Sequence, residues 1–231
     1  VCRHYQGLKE REKYLKFFGV EPPPQDGRPD VWPGYPGAFI RRHPNAHLGD
    51  QAVPAREAVN GLFGLVPHWA TDTKITKSTY NCRSESAAQK PSFRDAFKRQ
   101  QRCIIAVDAF FEPDWRSGRA VPTRIAHADA KPMGIAGLWS HWKSPKDGWI
   151  YSFTMLTLNA DAHPLMRQFH KAADEKRMVA ILPSHRYQDW LEGAGEIAEF
   201  MLPFSADQLQ ATPEPTGKLP SAAGPDHPVL L

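Results

Sequence analysis

Twenty-two of the 231 residues are proline. Proline inside a helix removes a backbone donor and clashes with the preceding turn, so this chain cannot be all-helical and is expected to be rich in turns and short strands. The most apolar segment, Cys103 to Phe111, reads as a buried strand. Further strands are predicted over Ala38–Arg42, Ala58–Val66, Thr123–Ala128, Ile135–Trp142, Trp149–Leu158 and Met178–Leu182. Trp139 and Trp142, three apart in one strand, fall on opposite faces, which places one of them in the core.

Short helices flank these strands. Leu8, Leu15 and Phe18 share one face of a helix ending at Gly19. Ser92, Ser184 and Ser205 are placed to cap helices reaching Gln100, Gly193 and Gln210, and Asp161–Phe169 reads as a helical turn. Glu21–Pro36 is expected as a surface loop, and Thr71–Lys90 as a long irregular segment of the kind that carries function. Together these predict an α+β fold. It is a single domain with a curved, mainly antiparallel sheet or open β-barrel core and short flanking helices. It runs over residues 1–211, followed by a Pro/Gly-rich tail over 212–231.

A chain of this length can bury a substantial core. The net charge of +4 is a mild basic bias, compatible with a polyanionic partner only if the charge clusters locally. Three cysteines without CxxC spacing, and no secretory signal, suggest a reducing, cytoplasmic setting (nucleoid-associated in a bacterium). No apolar run reaches the ~18–20 residues that a membrane span needs.

Cys2 carries the most distinctive chemistry. If residue 1, Val1, is removed, Cys2 presents an α-amine and a thiol on one carbon framework. Such a 1,2-aminothiol condenses with an aldehyde to an imine, and the thiol then closes a five-membered thiazolidine. An α-amine, with an ordinary pKa of about 7.7–8.0, is far more nucleophilic at neutral pH than a lysine amine at about 10.4. With Val1 attached, the Cys2 nitrogen is an amide and the ring cannot form. Other polar residues stand at the edges of apolar segments: Asn81 and Arg83 in the polar stretch, Glu112 closing the most apolar strand, and His170 after Phe169. A carboxyl at the end of a buried strand is partly desolvated, which suits it to general-acid work. Each also has a plain structural reading: a strand-end charge for Glu112, a helix-end residue for His170.

Eight blocks occur in order. They are Cys2; Tyr35-Pro36-Gly37; Gly64-Leu65-Val66-Pro67-His68-Trp69-Ala70; Asn81-Cys82-Arg83-Ser84-Glu85; and Pro91-Ser92-Phe93-Arg94. Then come Arg102 through Glu112; Ala136-Gly137-Leu138-Trp139; and His170 with Asp174-Glu175-Lys176-Arg177-Met178. In this order they resemble the SRAP family (SOS response-associated peptidase), the abasic-site processing proteins. The resemblance implies binding to single-stranded DNA and trapping of an abasic-site aldehyde as a thiazolidine crosslink. Carried over by motif, Cys2 is the nucleophile, Asn81 holds the crosslinked residue, and Glu112 is the acid/base. His170 is a second proton-transfer group, and Arg83 grips a phosphate. From the residues themselves, Trp69 is expected either to stack on a base or to pack in the core, Arg41 and Arg42 either to contact phosphate or to lie on a solvated surface, and Pro36 and Arg3 are further expected DNA contacts. A monomer without cofactor is expected, and without metal because paired ligand spacing is lacking.

The chain departs from the common pattern at Cys2-Arg3-His4, where Cys-Gly-Arg is usual, and at Asn81-Cys82-Arg83, where Asn-Ala-Arg is frequent. It departs again after His170, where the commonest form is His-Asp-Arg-Met-Pro; His163 is then the alternative histidine. Three other readings use the same residues. They are a thiol (auto)peptidase with Cys2 as nucleophile, a non-catalytic single-strand-binding module, and a metal site of Cys82, Cys103 and histidines.

Overall fold

A computed structural model describes residues 1–24 and 28–214. The order of strands is β1 (His4–Gly7), β2 (Asp30–Val31), β3 (Pro36–Arg42), β4 (Arg56–Phe63), β5 (Asn81–Arg83), β6 (Arg102–Asp114) and β7 (Val121–His127). It continues with β8 (Met133–Ser144), β9 (Gly148–Asn159), β10 (Arg177–Val179), β11 (Ile181–Leu182) and β12 (Leu209–Pro213). Four short α-helical segments lie between them: α1 (Arg11–Lys13), α2 (Thr76–Thr79), α3 (Arg94–Lys98) and α4 (Tyr187–Glu192).

Five strands close into a barrel in the order β6-β3-β4-β9-β8, with β8 returning to pair with β6. An odd ring cannot be antiparallel throughout, and the parallel seam falls between β4 and β9, with Leu62 opposite Ser152. The fold is the α+β single domain with a β-barrel core that the sequence predicts.

Two long strands outgrow the barrel, and this builds the site. The first half of β6 pairs with β8, Arg102 opposite Leu138 through Val107 opposite Met133. Its second half leaves the ring and lies between β1, with His4 opposite Phe111, and β7, with Glu112 opposite Thr123. The end of β9 likewise passes beyond β4 and takes β5 as a parallel neighbour, Asn81 opposite Met155. Phe39, Phe63 and Phe153 from β3, β4 and β9 pack together with centroids 5.5–5.6 Å apart, and Tyr5 meets Phe63 edge-on at 5.2 Å. Gly37 is needed there, because an added Cβ would lie 2.3 Å from the Tyr5 hydroxyl.

Several local expectations change. The first helix is α1 continued by π-helical turns over Tyr14–Phe18 and closed by left-handed Gly19. Tyr14 and Phe18 are its buried residues, whereas Leu15 is exposed. Ser92 forms no cap; α3 starts after Phe93 without a side-chain cap. Ala180 interrupts Met178–Leu182 because its N–H binds Leu156 while its C=O accepts from Ala136, so the chain crosses from β9 to β8. Ser205 starts only a 3₁₀ turn, after which β12 pairs with β7. That strand runs to Pro213, two residues past the expected boundary at 211, and residues 215–231 of the expected tail lie outside the described residues. Trp142 is buried and Trp139 half-buried, on opposite faces as expected.

Candidate active site

The site forms where β6 leaves the barrel. Pairing of β1 with the end of β6 brings Cys2, two residues ahead of His4, alongside Glu112. The Cys2 backbone N–H donates to Glu112 Oε1 at 2.9 Å. Both residues are buried, at 0% and 1% exposure. His170 arrives from the other side. Phe169 bridges to Asp114, and the His170 N–H donates to the Pro113 C=O at 2.9 Å. Its Nε2 then lies 2.9 Å from Glu112 Oε2. Neither of these two buried atoms makes a well-directed hydrogen bond. Pairs that transfer protons are often poorly aligned before substrate binds.

The Cys2 thiol donates to the His4 C=O at 3.3 Å. Burial, reinforced by the nearby Glu112 charge, pushes this thiol well above the usual cysteine range, so it is neutral at rest. His4 itself is clamped between Trp32 and Phe111, with ring centroids 4.2 and 4.1 Å away and planes within 11°. Its Nε2 meets Asp30 Oδ1 at 2.6 Å. Burial lowers its pKa and the Asp30 contact acts in the opposite direction. This clamp fixes the strand that carries Cys2, and neither His4 nor Tyr80 was singled out from sequence. Tyr80 is half-buried, and its hydroxyl is raised above its usual pKa by burial, opposed by Arg3 and reinforced by Cys2 and Glu112. Its signal in the sequence is an aromatic residue directly ahead of Asn81 within a polar stretch.

Asn81 Nδ2 donates to the Tyr80 C=O at 2.9 Å, which leaves its buried Oδ1 without a partner. An acceptor left open in a buried position suits a ligand that brings a donor. Arg83 is half exposed and paired with Glu175 at 2.6 Å. Trp69 is 47% exposed, its indole N–H reaching the Pro91 C=O at 3.4 Å. Pro36 opens β3 and is half-buried, and Arg3 is exposed.

Arg41 corrects the sequence reading. It is only 7% exposed, paired with Glu57 at 2.8 Å and stacked on Trp139 and Tyr151 at 4.5 and 4.7 Å. Its guanidinium is consumed by packing, so it is not a free phosphate contact; its neighbour Arg42 is the exposed one. His163, the alternative histidine, is also structural. It is buried, with Nε2 on the Phe204 C=O at 2.7 Å and Nδ1 accepting the Met166 N–H.

The longer spacing after His170 has a physical explanation. Two residues before Arg177-Met178, where the commonest pattern has its histidine, stands Glu175. The chain loops out ahead of it instead, and Lys176 closes the loop. Its ammonium donates to the C=O groups of Phe169, His170 and Lys171 at 2.9, 3.3 and 2.6 Å. This holds His170 in the left-handed region, at φ +62°, an uncommon conformation for a non-glycine residue.

Among the described residues no group of three His, Cys, Asp or Glu is arranged to hold a metal ion, and Cys82 and Cys103 are separately buried free thiols. No described helix is long and apolar enough to cross a membrane.

The barrel thus brings a buried cysteine, a buried glutamate and a histidine to one point, with the Cys2 N–H on one Glu112 oxygen and His170 Nε2 beside the other. The chain belongs to the family described as SOS response associated peptidase (SRAP), whose model matches residues 1–216. It is 31% identical over 156 residues to the abasic site processing protein YoqW of Bacillus subtilis, covering 64% of this chain and 65% of that protein. It is 28% identical over 180 residues to the abasic site processing protein HMCES of Gallus gallus, covering 68% of this chain and 52% of that protein. The chain thus spans about half to two thirds of the length of these relatives. A crystal structure of a protein from Bordetella bronchiseptica superposes with a TM-score of 0.82 at 45% identity, covering 92% of this chain and 99% of the other. One from Bacteroides thetaiotaomicron, at 0.75 and 21% identity over 92% and 91% of the two chains, shares the fold.

Proposed function

We propose that this protein processes abasic sites in DNA by forming a covalent thiazolidine with the ring-opened sugar, acting on single-stranded DNA as a monomer without a cofactor. The observation that carries this is the 2.9 Å contact between the Cys2 nitrogen and Glu112, with His170 on the other carboxylate oxygen. The active form begins at Cys2. Val1 packs against the core beside a fully buried Cys2, so its removal frees the amine and uncovers the thiol together.

The steps balance as follows. The free α-amine adds to the aldehyde C1′ and gives a carbinolamine, its proton passing toward Glu112. Glu112 or His170 then protonates the departing hydroxyl, and water leaves as the imine forms. The thiol adds to the imine carbon, and its proton goes to nitrogen. The sum is aminothiol plus aldehyde giving thiazolidine plus water. Two proton-carrying groups in series, Glu112 on the nitrogen and His170 behind it, serve both the acid and the base steps. Asn81 Oδ1 offers an acceptor to the bound sugar, Arg83 and Arg3 grip adjacent phosphates, and Trp69 and Pro36 border the strand.

A thiol peptidase reading makes the Cys2 thiol the first nucleophile. Burial of Cys2 beside Glu112 favours the neutral thiol, which is a poor nucleophile. An amine-first route makes no such demand.

The test compares protein beginning at Cys2 with protein retaining Val1, each incubated with a single-stranded oligonucleotide carrying one abasic site. A shifted band on a denaturing gel is expected only from the first, and N-terminal acetylation removes it. A band of equal intensity from both forms refutes the thiazolidine. No band from the processed form refutes the covalent reading altogether.

A further inference from the structure

Glu175 sits between two arginines of very different exposure. Its Oε2 lies 2.6 Å from Arg83 Nη1, and its Oε1 lies 2.7 Å from Arg177 Nη1. Arg83 is half exposed, whereas the Arg177 side chain is 3% exposed. Arg177 is also held by Glu85 through both guanidinium nitrogens at 2.8 and 2.9 Å, and by the Thr157 C=O at 3.0 Å. Glu85 itself stays 4.0 Å from Arg83. The cluster is therefore a clamp of two surface carboxylates, Glu85 and Glu175, on the buried Arg177, with Arg83 attached at its outer edge.

We infer that Glu175 is a built-in competitor for the phosphate that Arg83 takes, so that DNA binds by displacing this carboxylate, which stays behind on Arg177. The inference rests on Arg83 being a phosphate contact, and adds what sets its affinity. The exchange is feasible because Glu175 keeps its Arg177 partner throughout, so no carboxylate is stranded when Arg83 turns to phosphate. A clamped carboxylate also repels an incoming phosphate for as long as it stays there. A free surface ion pair has little hold, because both side chains must be immobilised to form it. Here one partner is already immobilised by a buried arginine, which makes the competition effective. Glu175 restrains rather than supports the DNA contact: it lowers the affinity for undamaged strands and leaves retention of a lesion to the covalent step.

The test is non-covalent binding of a single-stranded oligonucleotide without an abasic site, measured by fluorescence anisotropy at low and high salt. Glu175→Gln is expected to bind about two- to fivefold more tightly at low salt, the scale of one surface ion pair. The gain should fade as salt rises. Asp174→Asn, which makes the same charge change one residue away, should give a markedly smaller gain. In an Arg83→Gln background the Glu175→Gln gain should vanish. Unchanged or weaker binding by Glu175→Gln overturns the inference, as does a gain that persists without Arg83 or is matched by Asp174→Asn. If the unsubstituted protein binds the strand but shows none of these differences, only this inference fails. If neither protein binds it, the DNA-binding reading fails as well.

Discussion

Replacing Glu112 by glutamine separates its chemistry from its packing. The side chain is buried and touches two groups at 2.9 Å, the Cys2 nitrogen through Oε1 and His170 through Oε2. Glutamine has the same shape. Its oxygen can still accept from Cys2, and its amide can donate to a neutral His170. What it cannot do is carry a proton between the amine, the carbinolamine and the leaving water. Positioned proton transfer contributes about 10²–10⁴-fold, so adduct formation should slow by that factor, about 3–5 kcal/mol of barrier at 1.36 kcal/mol per decade. Folding stability should hold, because glutamine keeps the side chain's shape and can keep both of its contacts. The assay is single-turnover crosslinking of processed protein to abasic single-stranded DNA, sampled by denaturing gel, with anisotropy reporting binding. A rate within about threefold of the parent, at equal DNA affinity, would remove Glu112 from the mechanism.

Three further outcomes follow from the geometry. Lys176→Met deletes the donor to three successive C=O groups and should slow crosslinking roughly tenfold, because His170 is no longer held against Glu112. Combined with His170→Ala it should add little, and full additivity in that double-mutant comparison would show that Lys176 does not act through His170. Arg41→Met breaks a buried ion pair and two ring contacts. It should cost about 1–3 kcal/mol in urea unfolding while leaving DNA affinity within about twofold; an affinity loss without a stability loss would restore Arg41 as a phosphate contact. The pH dependence of stability follows from the thiols. Cys2 and Cys103 are raised well above their ordinary value and Cys82 is pushed up to about 12, all three chiefly by burial. Between the ordinary thiol range near 9 and these raised values, the unfolded chain releases protons that the folded chain keeps. Stability is therefore intact below that range and falls as pH climbs through it, by up to about 1.4 kcal/mol per pH unit for each thiol. Urea midpoints at pH 8, 9.5 and 11 measure this, and a flat profile would contradict the burial of these thiols.

The strands were legible wherever apolar residues ran unbroken or alternated, as in Cys103–Phe111, Ile135–Trp142 and Trp149–Leu158, because burial imposes that pattern directly on the sequence. The short ones escaped. His4–Gly7 and Asn81–Arg83 carry three or four residues each and are strands only because the overhanging ends of β6 and β9 offer them an edge. Arg41 illustrates the opposite error. Arginine beside a strand end reads as surface charge, yet Glu57, Trp139 and Tyr151, all distant in sequence, draw it inside.

The local order of residues determined the groups on offer: a cysteine at position 2, a carboxyl closing an apolar strand, and a histidine, with prolines dictating a turn-rich β architecture. Whether these groups meet was not a local matter. Cys2, Glu112 and His170 are 110 and 58 residues apart along the chain. They converge because β6 outruns its barrel, β1 pairs with the overhang, and the His170 N–H docks on the Pro113 C=O while Lys176 ties down the turn around His170. Strand register and loop closure are long-range consequences of packing, and no window of sequence holds enough of either to reveal which histidine reaches the glutamate or which arginine is free for phosphate.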